Sequence, residues 1–190
     1  GIDIKRLDKG AVIFNTEREE GFAVFVVDNT NRTEARYWID DFLRVRQRQD
    51  NYHNTHNTLA MCKKYVTKPL SKEFEVSKAD QAELLNETMK YFQEQESFSM
   101  DDFSEKVIRQ PEVVESFTRF RQEYEQDRDI RIEDEFGISD SAVKKQARSY
   151  KSVIKLDRNF HIYVHGNRNL LEQGEDEKGK FYKVYYEEEE

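Results

Sequence analysis

The sequence predicts an α+β protein, in which strands from the N- and C-terminal ends form an antiparallel sheet and a helical middle packs on it. Two observations favour this fold. Apolar residues have the spacing of strands near both ends of the chain, and they have the spacing of helices between residues 33 and 128. A chain of 190 residues suits a single domain, which we expect over residues 1–187. The acidic residues 187–190 are expected to form a tail.

The N-terminal segment, residues 1–28, has the pattern of strands. Ile2 and Ile4 alternate with polar residues, and a turn at Lys9-Gly10 precedes the apolar run 11–14. The next run, residues 22–27, is apolar at every position. A run of this kind predicts a central strand that is covered on both faces.

The middle, residues 33–128, has the pattern of several helices. One is expected from Thr33. Another is expected from about Asn57 to Tyr65 and should end near Pro69, because the residue before a proline disfavours helical backbone. Residues typical of a helix start predict three more helices, and these residues are Ser77, Ser99 and Pro111.

The C-terminal third, residues 139–186, is predicted to hold a short helix capped by Ser139 and then strands. The runs 152–156 and 160–166 should form a hairpin, and 180–186 should form the last strand after a turn region at 174–179. Alternation along the hairpin predicts that one set of side chains faces inward, namely Phe160, Ile162 and Val164. The set expected to face outward is His161, Tyr163 and His165.

The stretch most informative about function is a basic island at residues 144–168. It holds seven Lys or Arg and one acid, so it carries +6. Because the whole chain carries −8, the residues outside the island carry −14. Charge separated in this way creates a local positive field that can bind a polyanion, although a solvated basic face without a ligand is the alternative. The candidate contact residues are Lys144, Lys145, Arg148, Lys151, Lys155, Arg158 and Arg168.

These basic residues are predicted to reach one surface. Lys144, Arg148 and Lys151 are spaced i, i+4 and i+7, which places them on one stripe of the short helix. The other basic residues lie in or beside the hairpin that follows directly. Two further basic clusters are weaker candidates for nucleic-acid contact. One is Arg44, Arg46 and Arg48, and the other is Lys63, Lys64, Lys68 and Lys72.

Metal binding, catalysis and membrane insertion are not expected. His53, His56 and Cys62 offer three metal ligands, but a structural zinc site needs a fourth and none lies near in sequence. We therefore expect Cys62 to be a buried or half-buried free thiol. A single cysteine fits a reducing compartment, and no apolar run approaches the ~20 residues of a membrane span. No motif for nucleotide binding, hydrolysis or another cofactor-dependent reaction is present in the sequence, so catalytic residues and cofactors are expected to be none.

Six short motifs, in order over most of the chain, carry a family resemblance. They are YWxxxFL (37–43), DNYHNTHN (50–57), MCKKYV (61–66), SxxAVKK (139–145), KSVIKLD (151–157) and FHIYVHGNR (160–168). These motifs closely resemble the bacterial nucleoid-associated NdpA/YejK-like family. The resemblance implies association with chromosomal DNA and a place in the cytoplasm, at the nucleoid. Members of this family are longer at the N-terminus, so we expect the chain to be the C-terminal portion of a longer protein.

Charge and resemblance together predict a non-enzymatic DNA-binding protein of the nucleoid, which contacts the phosphates of double-stranded DNA with little sequence preference. The alternative hypothesis is a protein-interaction scaffold of the nucleoid that binds little DNA directly. The other candidate partners are therefore a nucleoid protein and a second copy of the chain. A metal-dependent nuclease is disfavoured because no constellation of ligands stands out.

Overall fold

The structure, a computed structural model, divides into two compact units, Gly1–Arg48 and Gln49–Glu190. They are described separately, and the single domain expected over residues 1–187 stays a prediction. The residues that the structure describes are 8–18, 21–28, 37–46, 48–150, 153–157, 159–164 and 170–188.

The first unit contains a hairpin and a helical turn. Strand β1 (Lys9–Arg18) pairs antiparallel with β2 (Gly21–Asp28), which confirms strands over the apolar runs 11–14 and 22–27. The turn predicted at Lys9-Gly10 is wrong, because both residues belong to β1 and pair with Asp28 and Val27. A π-helical turn covers Tyr37–Leu43 and ends where Arg44 adopts left-handed backbone, with φ of 51°. The start of the helix expected from Thr33 lies outside the described residues.

The prediction that residues 22–27 form a central, doubly covered strand is wrong. Within the described residues, β2 has one strand neighbour, β1. Phe22 and Phe25 of β2 are 54% and 60% exposed. Val12, Ile13 and Phe14 of β1 are also exposed. A run that is apolar at every position therefore did not indicate burial here, because burial depends on what packs on the strand.

The second unit is built on six α-helices in its described residues. They are α1 (Asn51–Thr67), α2 (Leu70–Glu73), α3 (Lys78–Glu94), α4 (Met100–Phe103, continued by a π-helical turn Ser104–Ile108), α5 (Pro111–Arg128) and α6 (Asp140–Ala147).

Local capping signals predicted several of these boundaries. The hydroxyl of Ser77 accepts a hydrogen bond from the Asp80 amide, and the Asp80 carboxylate accepts from the Ser77 amide, which confirms the cap of α3. Pro111 is the first residue of α5, as predicted. Helix α4 also begins after Ser99, although the Ser99 side chain makes no capping hydrogen bond.

Helix α1 begins earlier than the predicted Asn57. Its N-cap is Asp50, whose carboxylate accepts a hydrogen bond of 3.0 Å from the His53 amide. The polar segment that follows Asp50 is therefore helical. Thr55 and Thr58 are buried in this helix, and each hydroxyl donates to the carbonyl four residues earlier.

The main core of the second unit is rich in aromatic rings. The fully buried rings come from five of its elements, and they belong to Tyr65, Phe92, Phe98, Phe103 and Phe117. The short strands β3 (Ser97–Ser99) and β4 (Glu135–Gly137) pair antiparallel and close this core, because Phe98 stacks on Phe136 with ring centroids 4.8 Å apart.

Two hairpins follow the helices. Strand β5 (Val153–Leu156) pairs with β6 (Phe160–Tyr163), which confirms the predicted hairpin. Strand β7 (Leu171–Asp176) pairs with β8 (Gly179–Val184). A second, smaller core joins these hairpins to α3, and its buried members are Ala79, Ala82, Ile154, Val164 and Leu171. The small side chains of α3 allow the close approach.

The side of the β5–β6 hairpin that was predicted to face inward is buried only in part. Val164 is buried and Ile162 is half-buried, but Phe160 is 66% exposed at the end of β6. His161 and Tyr163 are exposed as expected, and His165 lies outside the described residues. Phe160 is the first residue after the turn and is paired with Leu156, at the far end of the hairpin from Val164.

Strand β7 was not predicted, since the segment 174–179 was expected to be a turn region. Gly174 lies inside the strand, directly opposite Phe181 of β8. A side chain at position 174 would overlap the Phe181 ring. Because glycine has no side chain, the ring can lie against the backbone at this position. The actual turn is Glu177-Lys178, followed by Gly179 with φ of 122°, a conformation that favours glycine.

The α+β class, the antiparallel strands and the helical middle are confirmed. In the described residues, however, the strands form four separate two-stranded sheets rather than the one sheet expected from both ends of the chain. Three of these sheets are local hairpins, which need no long-range partner to satisfy the inner backbone groups of their strands. Among the described residues, no helix combines the length and apolar character that crossing a bilayer requires.

Candidate nucleic-acid interface

Helix α6 brings three residues of the basic island together. Lys144 and Lys145 lie in its last turn, and Arg148 follows as the C-cap residue. All three side chains are exposed. Lys155 is exposed on β5, where it is paired with His161. The remaining island residues predicted to bind DNA, Lys151, Arg158 and Arg168, lie outside the described residues.

The helical stripe predicted to run from Lys144 to Lys151 does not extend that far as α-helix. Helix α6 ends at Ala147. The amides of Ser149 and Tyr150 then donate to carbonyls three residues back, which is a tighter turn than an α-helix makes. Tyr150 is buried, and its hydroxyl donates to the carbonyl of Leu59 in α1. We attribute the end of the helix to this anchor, which holds the chain against α1.

Helix α6 is docked on α1 through both apolar and polar contacts. Ala142 and Val143 are buried on its inner side. The amide of Ser139, just before the helix, donates a hydrogen bond of 3.0 Å to Oγ1 of Thr55 in α1. Ser139 does precede the helix as predicted, but its hydroxyl lies 3.1 Å from that of Ser141 and caps nothing. The exposed basic residues of α6 are thus fixed relative to α1.

The part of α1 nearest to these basic residues carries aromatic and imidazole side chains. The ammonium of Lys145 donates to the hydroxyl of Tyr52 at 3.3 Å and lies 5.9 Å from the centroid of its ring. The Tyr52 ring is nearly parallel to His56, at 6.3 Å and 13°, and meets His53 edge-on at 5.4 Å. Nδ1 of His56 accepts a hydrogen bond of 2.9 Å from the Gln146 amide nitrogen. These contacts join α1 and α6 in one polar corner, which consists of Tyr52, His53, His56, Lys145 and Gln146.

The sequence suggested a role for His53 and His56 only as metal ligands together with Cys62. The structure buries Cys62 in the core with 2% exposure, whereas His53 and His56 are half-buried. Cys62 is a buried free cysteine, as predicted, and burial raises the pKa of its thiol well above the usual range. Within the described ranges, no group of three or more His, Cys, Asp and Glu is arranged to hold a metal ion.

The other cluster of lysines lies at the C-terminal end of α1. The ammonium of Lys64 is 5.8 Å from the Phe120 ring centroid and 5.3 Å from that of Tyr124, both on α5. Arg128 of α5 also stacks on Tyr124, at 4.7 Å. Helix α5 carries five acidic residues beside its three arginines. Lys64 therefore packs against a helix of mixed charge.

Comparison with known proteins identifies a family. The family model described as nucleoid-associated protein YejK matches residues 1–189, which is nearly the whole chain. No curated protein and no solved structure matches the chain.

Proposed function

Because the chain belongs to the family of nucleoid-associated protein YejK, we propose that it binds double-stranded DNA directly, through the phosphate backbone and without catalysing a reaction. Family membership supports a role at the bacterial nucleoid. The observation that carries the direct contact is the side-by-side exposure of Lys144, Lys145 and Arg148 at the end of α6. Their positive charge stands out from a chain whose net charge is −8.

The proposed contact is electrostatic. Lys and Arg neutralise phosphates and release the counterions that surround DNA, which gives affinity with little dependence on base sequence. Lys155 and the island residues outside the described ranges, Lys151, Arg158 and Arg168, are proposed to contribute to the same interface. Neutralisation of ~4–6 phosphates corresponds to a slope of roughly −4 to −5 in log affinity against log salt.

A salt titration with two duplexes tests this proposal. Duplexes of equal length and unrelated sequence should bind with similar affinity, and both should show the steep slope. A slope near zero, or a strong preference for one sequence, would contradict phosphate-backbone binding. Incubation of the same duplexes with Mg²⁺ or Mn²⁺ should leave them intact, and cleavage would contradict the non-enzymatic part of the proposal.

A second candidate function is a protein-interaction scaffold of the nucleoid. The observation that favours it is the set of exposed apolar side chains on β1 and β2, including Ile13 at 65% and Phe25 at 60%. Sedimentation distinguishes the two functions. A direct DNA binder should sediment with deproteinised DNA as well as with intact nucleoids, whereas a scaffold should sediment only with intact nucleoids.

A further inference from the structure

We propose that the face of α1 that carries Tyr52, His53 and His56 forms one DNA-contact surface with the basic end of α6. The inference rests on the proposed DNA binding and adds residues from a second helix to that interface. The occupant is the phosphate backbone of duplex DNA, and the positive charge of the surface should rise as the pH falls from 8 to 6.

The first argument is position. Lys145 belongs to both halves of the surface, because it lies on α6 and its ammonium contacts the hydroxyl and ring of Tyr52 on α1. A phosphate that approaches Lys145 therefore also approaches Tyr52 and the rings that surround it. Tyr52, His53 and His56 are half-buried, so packing holds the rings in place while part of each remains accessible. His53 keeps 28% of its side chain exposed.

The second argument is the chemistry of the two imidazoles. Nδ1 of His56 accepts from the Gln146 amide, which is the arrangement of a neutral ring. Histidine is the side chain whose charge ordinarily changes between about pH 5 and 8. Protonation of His56 adds a positive charge beside Tyr52 and Lys145. A protonated His56 donates from both ring nitrogens, so Gln146 must then turn its carbonyl oxygen toward the ring.

His53 changes the surface in the same direction. Its Nδ1 lies 2.8 Å from the Asp50 carboxylate, so a protonated His53 forms an ion pair with Asp50. Protonation then cancels the negative charge of Asp50, which otherwise repels phosphate. The only acid within α6 is Asp140, at the opposite end of the helix from Lys144 and Lys145. The segment of β4, which packs beside the start of α1, adds two exposed acids, Glu133 and Glu135. Protonation of each imidazole would therefore add one unit of positive charge to the surface.

The test is a salt titration of DNA binding at pH 8 and at pH 6. With one or two added phosphate contacts, the slope of log affinity against log salt should become steeper by about 1–2 at pH 6. The double variant His53→Gln, His56→Gln should lose this pH increment and keep the slope of pH 8. His161→Gln is the comparison variant, because His161 is paired with Lys155, which the proposed interface also includes. It should keep most of the increment, and loss of the whole increment in this variant would overturn the inference.

The outcomes separate this inference from the proposal on which it rests. A pH increment that persists in the double variant, or that is absent from the unmodified chain, overturns the inference while DNA binding stands. Failure to bind DNA at either pH overturns both. A second measurement does not depend on the histidine variants. A photoreactive benzoylphenylalanine in place of Tyr52 should crosslink to DNA, whereas the same group in place of Lys72 on α2 should not. Equal crosslinking, or none from position 52, overturns the inference.

Discussion

The two ends of α1 carry the same local motif in different surroundings. At the N-terminal end, Lys145 lies over Tyr52, and at the C-terminal end Lys64 lies over Phe120 and Tyr124. The helix that packs beside each end differs. Helix α6 carries one acid, Asp140, with two lysines in its last turn, whereas α5 carries five acids and three arginines.

This difference shows that a count of neighbouring lysines does not identify a phosphate-binding surface. Residues 63–72 include four lysines, more than the three basic residues that α6 brings together. We expect the charge of the helix that packs beside the lysines to matter as well, because nearby opposite charges reduce the local field. We therefore expect the two ends of α1 to respond differently to the same substitutions.

The largest expected effect follows from reversing charge at the α6 end. Replacement of Lys144, Lys145 and Arg148 together by Glu should lower affinity for duplex DNA by about 10²–10³-fold at ~0.1 M salt, because each lost phosphate contact removes ~0.9 from the log–log slope. Fluorescence anisotropy over a salt series measures both quantities.

The matched control is Lys63→Glu, Lys64→Glu, Lys68→Glu at the other end of α1. It should lower affinity by less than about tenfold, because those positions are expected to make few phosphate contacts. Equal losses in the two triple variants would mean that net charge controls binding. In that case the distinction between the two ends would fail.

The next effect concerns Cys62, which lies between the two ends of α1. Cys62→Ser places a hydroxyl in a core position, which should destabilise the fold by ~1–3 kcal/mol if the hydroxyl stays unpaired. Affinity for DNA should be unchanged at temperatures well below the unfolding transition. Urea unfolding and anisotropy measure the two quantities, and a loss of affinity in the fully folded variant would connect the core to the interface.

Asp50→Ala tests the N-terminal end of α1 through two effects of opposite sign, one on stability and one on DNA affinity. Loss of the N-cap should destabilise the protein by ~1 kcal/mol, while loss of a negative charge beside His53 should raise DNA affinity modestly. Ser77→Ala removes the corresponding cap of α3 and should lower stability without raising affinity. Thermal unfolding and DNA binding of both variants give the comparison, and equal affinities would remove Asp50 from the interface.

The smallest expected effect belongs to Lys64. Lys64→Ala removes an ammonium from the faces of two rings, which should cost ~0.5–1 kcal/mol of stability and leave DNA affinity nearly unchanged. Lys145→Ala should show the reverse order of effects, with about an eightfold loss of affinity at ~0.1 M salt. If Lys64→Ala weakens DNA binding as much, the C-terminal end of α1 also contacts DNA.

Local signals were enough to predict some features of this protein. The cap at Ser77, the helix start at Pro111 and the β5–β6 hairpin all depend on residues close together in sequence. The proximity of Lys144, Lys145 and Arg148 was predictable for the same reason. The α+β class followed from the spacing of apolar residues alone.

Features that depend on remote neighbours were not predictable from local patterns. Strand β7 is paired with β8 although its Gly174 resembles a turn residue, and the reason is the Phe181 ring opposite it. The corner of the candidate interface is another case. Tyr52 and Lys145 are separated by 93 positions, and His56 and Gln146 by 90, so their contacts arise only in the folded chain.

The packing of α1 against the segment before α6 predicts how the amino-acid sequences of relatives should vary. A methyl group at Gly137 would lie 2.6 Å from the Asn51 amide nitrogen, and Thr55 supplies the acceptor for the Ser139 amide. Positions 51 and 137 are therefore expected to change together, with a bulkier residue at one accompanied by a smaller residue at the other. Position 55 should retain a hydroxyl, or another short acceptor, wherever the backbone at 139 is kept. Two residues of a polar helix face would then vary under the constraint of a segment more than eighty residues away along the chain.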